Sequence, residues 1–499
     1  MSEAWEKLLP HLREMTDLGS ALKLMSWDQS TLMPPKGNAA RARSMATLQS
    51  IAHARLVSPE VGSLLEDLAG DESLDSDQAA SVRILKRRYE RATKVPPKLV
   101  HELAELRGIA YQAWTEARPA ADFATLRPHL EKMIKLKKEE ADAVGWNNER
   151  YDALLDEYEP EMTTAEVEAM FSELAEGLRP LVEKIVGTHS QRPELLSSSY
   201  DRASQEAFSQ WLVTVLNFDT ERGRLDTSPH PFTITIGEGD VRQTTRTDET
   251  ELTMSIYATM HETGHALYDQ GLPEEFSDLP VGGTPSLGMH ESQSRLWENL
   301  VGRGRPFTEF MLPHLKERFP AQLGMVSPDE FYKAVNHVQP TLIRVSADEV
   351  TYNLHLMLRF ELELAMFREE LEVGDLPNAW DAAMEKHLGV RPDNDGNGVL
   401  QDMHWSIGIQ GYFPTYTLGT IYSAAFFAKA QEDLGDLDEE FRDGNTVRLL
   451  GWLRENIHSQ AYRYPAKELA ERVLGAPVSA KPLLEHLRTK YSELYDITL

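Results

Sequence analysis

The residues most suited to chemistry form the segment HETGH at residues 261–265, an H-E-x-x-H motif. On a helix, His261 and His265 project from one face, one turn apart, and two neutral imidazoles at that spacing can share a zinc ion. Glu262 lies about 100° around the helix from His261, which suits a general base rather than a ligand. The motif therefore predicts a zinc centre, although short motifs of this kind also occur by chance on charged helices.

A zinc enzyme needs a third protein ligand and leaves the fourth position to water. Glu291 is the first carboxylate of a second predicted helix, which begins after Ser286 and ends near Gly302. The intervening loop is long enough to bring the two helices together, and Glu291 is therefore the predicted third ligand. The alternative for Glu291 is a solvated first-turn carboxylate favoured by the helix dipole. For Glu298, further along, the alternative is a surface charge.

The metal motif must be held by a helix, and residues 248–271 predict one. Asp248 and Glu251 have the spacing of a capping box at its start, and Gly271 provides its end. An apolar stripe runs along one face at Leu252, Ile256 and Met260.

Residues 231–246 contain the one clear β signal of the chain. Residues 232–236 are β-branched or aromatic, residues 237–240 have the composition of a turn, and residues 241–245 return as a second strand. This hairpin directly precedes the metal helix. It predicts either an edge strand that pairs with an extended peptide substrate or a plain structural hairpin.

Several motifs, taken in order, resemble the thermostable carboxypeptidase Taq family of zinc metallocarboxypeptidases. They are HPF at 230–232, DVRQT at 240–244, HETGH at 261–265, HESQSRLWEN at 290–299, IRVSAD at 343–348 and GVLQDMHW at 398–405, with WDQ at 27–29 and MPP at 33–35 near the start. The resemblance covers nearly the whole chain.

The resemblance and the helical patterning agree on the fold class. Both predict a mainly α protein, and the resemblance implies a large helical zincin-type peptidase fold with a small β hairpin or sheet beside the active-site groove. We expect residues 1–499 to form a single peptidase domain of the carboxypeptidase Taq type, whose helices can form two lobes flanking a deep groove. A long helix is predicted over residues 347–372.

The segment 404–419 offers groups that could stabilise the oxyanion of a tetrahedral intermediate. The candidates are His404, Tyr412 and Tyr416, because related helical zinc peptidases use similar His-Tyr segments. The alternative is that the tyrosines are core aromatics whose hydroxyls simply find a partner.

An enzyme that acts at a C-terminus must bind a free carboxylate, which the planar guanidinium of arginine binds in bidentate fashion. From the family motifs, Arg344 is the first candidate and Arg242 the second, and His230 is a further substrate-binding candidate. The alternatives are an i,i+4 pair of Arg344 with Asp348 on one helix, and a strand-surface charge for Arg242.

The resemblance implies a hydrolase that releases C-terminal amino acids from peptides. It also implies one Zn²⁺ per chain, which Co²⁺ can replace, and a homodimer. One alternative is a zinc oligopeptidase that cuts internally in short peptides. Another is a helical binding protein with a structural zinc, which would need four protein ligands, and no fourth ligand is apparent.

Composition limits the compartment and the partners. The 499 residues include no cysteine, which excludes disulfides, thiolate zinc ligands and a cysteine nucleophile, and we expect a cytoplasmic protein. The start, MSEAWEKLLP, does not resemble a signal peptide, and no apolar run approaches the roughly 20 residues of a membrane span. The net charge of −29 opposes nucleic-acid binding, so we expect a peptide substrate with a free C-terminus and no membrane or nucleic-acid partner.

Overall fold

The computed structural model describes residues 2–190, 193–196 and 198–498, and most of them are helical. Reciprocal capping boxes mark several helix starts, such as Asp75 with Gln78 and Thr163 with Glu166. The helices that precede the sheet are α1 (Glu3–Thr31), α2 (Asn38–Leu56), α3 (Pro59–Asp67), α4 (Ser76–Lys94), α5 (Pro97–Ala120), α6 (Phe123–Val144), α7 (Arg150–Leu155), α8 (Thr164–Gly187) and α9 (Arg202–Val215).

A small sheet separates these helices from the rest of the chain. Its strands are β1 (Gly223–Thr227), β2 (Thr233–Gly237) and β3 (Asp240–Thr245), in the order β1-β3-β2. The predicted hairpin is confirmed, since β2 and β3 pair antiparallel around a turn at Gly239, whose φ is +70°. Strand β1, which pairs parallel with β3, was not predicted from the sequence. Strand β1 reads as GRLDT, with charged residues on both sides of Leu225, so it carries little of the apolar alternation typical of strands.

The remaining chain is helical, and the helix that follows the sheet carries the H-E-x-x-H motif. These helices are α10 (Leu252–Gly271), α11 (Leu287–Arg295), α12 (Arg305–Arg318), α13 (Pro320–Leu323), α14 (Pro328–Val335), α15 (Tyr352–Phe367), α16 (Leu376–Leu388), α17 (Phe413–Leu434), α18 (Asp438–Arg442), α19 (Val447–Asn456), α20 (Ala466–Leu474) and α21 (Lys481–Tyr495). A π-helical segment, Leu296–Gly302, continues α11.

A large hydrophobic core joins the helices from α5 to α21, and inside it α11 packs against both α10 and α17. A smaller, separate cluster joins α1, α3 and α4. The fold is therefore mainly α with one small sheet, as predicted. A single domain with two lobes stays a prediction. Within the described residues, no helix combines the length and the apolar composition needed to cross a membrane.

The helix predicted over residues 347–372 is shorter than expected. The Asp348 carboxylate accepts hydrogen bonds from the amides of Val350 and Thr351, which closes a separate turn before α15 begins at Tyr352. After Phe367 the chain enters the left-handed region at Glu369, with φ of 65°, and this ends the helix. Arg344 lies in an isolated 3₁₀ turn, so the alternative that placed it on one helix with Asp348 is wrong.

Candidate active site

Helix α10 carries the metal motif and is largely buried. Its apolar stripe at Leu252, Ile256 and Met260 is at most 1% exposed, as predicted. The predicted capping box is wrong, because the helix begins at Leu252 and the Asp248 carboxylate instead accepts hydrogen bonds from Thr250. A short acidic side chain can close a local turn in this way and thereby delay the start of a helix.

The side chains of His261, His265 and Glu291 meet between α10 and α11. One ligand atom from each lies within 4.8 Å of the others. Glu291 Oε2 is 3.6 Å from His261 Nε2 and 3.3 Å from His265 Nε2, so both imidazoles direct the same nitrogen toward one point. Two imidazoles and one carboxylate are a donor set typical of catalytic divalent-metal sites with an open position.

The protonation states of His265 and Glu291 suit metal binding. Burial and the neighbouring His290 lower the pKa of His265 to about 4, which keeps this imidazole neutral at pH 7. Burial alone would raise the pKa of Glu291, but Arg295 and the histidines outweigh it and lower the pKa. Arg295 Nε donates to Glu291 Oε1 at 2.7 Å, which leaves Oε2 to face the histidines.

The alternative considered for Glu298, a surface charge, is wrong. It lies on the π-helical segment, and its Oε2 is 2.9 Å from His261 Nδ1. Burial alone would raise its pKa, but Arg295 and His261 lower it to about 2. A buried carboxylate on the far nitrogen of a ligand histidine orients the ring and makes it a better ligand.

Glu262, the predicted base, lies beside the cluster and contacts the sheet. Its side chain is buried, and its Oε2 accepts a hydrogen bond of 2.7 Å from the hydroxyl of Thr233 on β2. Burial raises the pKa of Glu262, and a carboxylate with a raised pKa is a stronger base. Strand β2 therefore helps to position the group that the motif predicts as a base.

Two glycines allow the three helices around the metal cluster to approach closely. A Cβ on Gly264 of α10 would lie 2.6 Å from the carbonyl oxygen of Gln293 on α11. A Cβ on Gly419 of α17 would lie 2.6 Å from the Cβ of Glu291. Helix α11 is thus confined from two sides at the level of Glu291, with no room for a methyl group at either glycine.

The predicted oxyanion residues gather at the N-terminus of α17. His404 Nε2 lies 3.4 Å from the hydroxyl of Tyr416, and the rings of Tyr412 and Tyr416 are 5.2 Å apart. Burial and the nearby Glu291 carboxylate raise the pKa of Tyr412 to about 12, so its hydroxyl keeps its proton at neutral pH. The structure thus brings His404, Tyr412 and Tyr416 together.

Both the sequence and the fold of this chain have known relatives. Residues 7–491 match the sequence model of the carboxypeptidase Taq (M32) metallopeptidase family. The chain belongs to this family.

Its relatives extend over essentially the same length. Thermostable carboxypeptidase 1 of Thermus thermophilus is 46% identical over 506 residues, which cover 99% of both chains. The crystal structure of the M32 carboxypeptidase of Deinococcus radiodurans superimposes with a TM-score of 0.97 at 41% identity, covering 99% of this chain and 100% of that one. The structure of Pyrococcus furiosus carboxypeptidase gives 0.96 at 38%, covering 98% and 99%. The protein is therefore a metallocarboxypeptidase, a hydrolase whose family requires a metal.

In this carboxypeptidase, Arg344 pairs with a different acid from the one considered in the sequence analysis. Its Nε and Nη2 donate to Asp402 Oδ1 at 3.2 and 2.8 Å, and Arg359 donates to Asp402 Oδ2 at 2.6 Å. The Arg344 guanidinium also lies over the ring of Tyr416, at 5.3 Å from its centroid. The structure thus places Arg344 next to the predicted oxyanion residues.

The other two substrate-binding candidates make their contacts elsewhere. Arg242 on β3 forms a two-bond pair with Asp240, at 2.8 and 2.7 Å, and lies over the ring of Trp27 at 4.3 Å. The side chain of His230 is exposed just before β2. Neither side chain is among the contacts of the metal cluster described above.

His290 and Asp269 are residues near the site of the carboxypeptidase that the sequence analysis did not single out. The His290 ring stacks on His265, with centroids 4.4 Å apart, and its Nε2 lies 2.9 Å from Asp269 Oδ1. Asp269 also accepts a hydrogen bond from Thr235 of β2. The sequence contained a signal for both residues. Asp269 follows His265 by one helical turn, and His290 immediately precedes Glu291.

Proposed function

We propose that this metallocarboxypeptidase is zinc-dependent and binds one ion per chain through His261, His265 and Glu291. The observation that carries this proposal is the convergence of three ligand atoms within 4.8 Å, two of them imidazole nitrogens. Zinc favours such a donor set, and Co²⁺ is expected to substitute for it. When bound, the metal polarises the scissile carbonyl and lowers the pKa of water to about 7.

Glu262 is the proposed general base. It takes a proton from the attacking water and passes it to the nitrogen of the leaving amino acid. The hydrogen bond from Thr233 supports this role, because it fixes the orientation of the carboxylate. Its raised pKa also favours proton uptake.

His404, Tyr412 and Tyr416 are proposed to stabilise the oxyanion of the tetrahedral intermediate by donating hydrogen bonds. The clustering of their side chains and the high pKa of Tyr412 support this role. Burial and the Glu291 carboxylate raise the pKa of both tyrosines, so Tyr412 and Tyr416 are both candidates beside His404.

Arg344 is the proposed partner of the C-terminal carboxylate of the substrate. Arg344 and Arg359 share the single carboxylate of Asp402, which leaves one unit of positive charge in this trio. That surplus favours a second carboxylate, here the terminus of the peptide. Arg242 remains the second candidate because Asp240 already neutralises it, and His230 is a weaker candidate on the exposed segment before β2.

The sheet offers a surface for the peptide backbone. Strand β2 is at one edge of the three-stranded order, and its Thr233 contacts the proposed base. We propose that an extended peptide pairs with this edge.

We also propose a cytoplasmic homodimer, from the absence of cysteine in the chain and from the family resemblance.

Metal analysis combined with a peptide ladder tests this function. The wild-type protein should contain about one zinc per chain and should shorten a peptide by single residues from its C-terminus, as read by mass spectrometry. His265→Ala should lose most of its metal and its activity, whereas His101→Ala, an exposed control on α5, should keep both. Full metal content in His265→Ala would contradict the ligand assignment. Internal cleavage without a ladder would favour the oligopeptidase.

A further inference from the structure

A buried carboxylate on α15 receives hydrogen bonds from the loop that precedes α17. The side chain of Glu363 is fully buried. Its Oε1 accepts a bond of 2.6 Å from Trp405 Nε1, and its Oε2 accepts bonds of 2.6 Å from the Tyr151 hydroxyl and 3.1 Å from the Gly411 amide. All three neighbours are donors, so the site is built for an acceptor with two oxygens.

Two of these donors are direct neighbours of the proposed catalytic groups. Trp405 follows His404 in the chain, and Gly411 precedes Tyr412. Gly411 has φ of +91°, and a Cβ at this position would lie 2.7 Å from the carbonyl carbon of Leu154. The segment 405–411 is therefore fixed at both ends by one carboxylate and is packed too closely to shift on that side.

The same helix also holds the start of this loop. Arg359 lies one helical turn before Glu363 on α15 and donates to Asp402 Oδ2 at 2.6 Å. Arg359 is fully buried as well. Helix α15 thus binds the loop at two points, through residues that are four positions apart. The Arg359 guanidinium donates to Asp402, and the Glu363 carboxylate accepts from Trp405 and Gly411.

Helix packing alone does not require these groups. Well-packed apolar side chains can replace buried charged groups without loss of stability, because desolvation offsets most of the attraction. Burial raises the pKa of Glu363 to about 7, which reflects the desolvation cost of its charged form. Charged groups in this position do, however, impose one loop geometry through directional bonds.

We propose that Glu363 is a positioning residue, which together with Arg359 holds residues 402–412 in the conformation that presents His404 and Tyr412 to the substrate. The inference rests on the proposed catalytic roles of His404 and Tyr412. Glu363 itself is separated from the reacting atoms by Trp405 and Gly411. Its effect should therefore be seen in kcat rather than in metal binding.

The test compares three substitutions around this carboxylate. Glu363→Gln keeps the size but turns an amide donor either toward Trp405 Nε1 or toward the Gly411 amide, and Trp405→Phe removes one bond from the loop side. Tyr151→Phe is the matched control, because it removes one bond to the same carboxylate from α7 and leaves both bonds to the loop. For each folded variant, we would measure metal content, melting temperature, kcat and KM on one short peptide.

We expect Glu363→Gln and Trp405→Phe to lose on the order of 10- to 100-fold in kcat, because small displacements of catalytic groups cost rates of this size. KM should stay within about threefold, and metal content should be unchanged. Tyr151→Phe should lower the melting temperature, because one buried hydrogen bond is lost. Its kcat should stay within about twofold of the wild type, because the bonds to the loop remain. An equal kcat loss in Tyr151→Phe and Trp405→Phe would overturn the inference.

A second comparison separates the inference from the proposed function. His404→Ala and Tyr412→Phe are measured alone and in combination with Trp405→Phe, a variant that stays informative if Glu363→Gln fails to fold. If Trp405 acts through its neighbours, the combined losses should be smaller than the product of the single losses. Normal kcat in His404→Ala and Tyr412→Phe would refute their proposed roles. Large losses there with normal kcat in Trp405→Phe would refute the positioning role alone.

Discussion

Glu298 Oε2 lies 2.9 Å from His261 Nδ1, on the side of the imidazole ring away from the Nε2 atom that faces Glu291. A carboxylate in this position accepts a hydrogen bond from Nδ1–H, fixes the tautomer and leaves the Nε2 lone pair free for a metal. The second proposed ligand, His265, is supported differently, because its ring stacks on His290. The two imidazoles of the motif therefore depend on different neighbours for their orientation.

The first prediction concerns Glu298. Glu298→Gln keeps the shape of the side chain and removes its charge, so metal affinity should fall by about 10-fold or more, as for other carboxylates that support ligand histidines. Competition with a chelator of known affinity measures the change. Glu105→Gln, an exposed control on α5, should leave the affinity unaltered. Equal affinities in Glu298→Gln and the wild type would contradict the supporting role.

The second prediction concerns the base. Glu262→Gln keeps the hydrogen bond from Thr233 but cannot accept the proton of water. Metal content should therefore persist while kcat falls by about 10² to 10⁴-fold, the usual contribution of general acid–base catalysis. Metal analysis and turnover are measured on the same preparation. A variant with near-normal turnover would exclude Glu262 as the base.

The third prediction concerns the terminal carboxylate. Arg344→Ala should lose about 10 to 100-fold in kcat/KM, mostly through KM, because a charged pair of roughly 1.5 to 3 kcal/mol is present in both the ground state and the transition state. A C-terminally amidated peptide should lose a similar factor with the wild-type enzyme.

The combination of the two changes is the decisive measurement for Arg344. Amidation should cost almost nothing further in Arg344→Ala, because both changes delete the same interaction. If the two losses multiply, the carboxylate is bound elsewhere, and Arg242→Ala becomes the next variant to measure.

The fourth prediction concerns stability and pH. Glu349 accepts hydrogen bonds from His486, Lys490 and Tyr491 and so ties the segment before α15 to α21. Burial opposes its ionisation, but Lys490 and His486 outweigh burial and lower its pKa below 4.5. A carboxylate whose folded pKa is lowered stabilises the fold above its unfolded pKa, and this contribution is lost as the pH falls toward the folded pKa.

Glu349→Gln should therefore cost about 3 kcal/mol or more at pH 7, because Lys490 is left buried without its anion. The difference in melting temperature between this variant and the wild type should shrink as the pH falls below 4.5. Calorimetry of both metal-free proteins across this range measures it. A difference that is independent of pH would show that the ion pair does not contribute.

The parts of the site that depend on local spacing could be predicted from the sequence. His261, His265 and Glu262 share one helix, and Glu291 lies in the first turns of the next, which begins at Leu287 with Ser286 as its cap. Helical periodicity and capping chemistry decide such features, and both act over a few residues.

The remaining parts depend on partners that are distant in the chain. Asp402 pairs with Arg344 across 58 residues, and Glu363 meets Gly411 across 48. A charged residue carries no local sign of its partner, so Glu298 looked like a surface charge before its contact with His261 was known. Strand β1 was missed for the same reason. Its own sequence has little strand pattern, and it forms a strand because it pairs with β3.

The close approach of α17 to Glu291 has a consequence for how the enzyme acquires its metal. All three proposed ligands lie between residues 261 and 291, whereas Gly419, which confines Glu291, is made much later during synthesis. A nascent chain can thus expose the ligands to metal well before the helix that fixes their spacing exists. Tight binding should begin only when residues up to α17 have left the ribosome and packed, so the ion is loaded into a nearly complete fold.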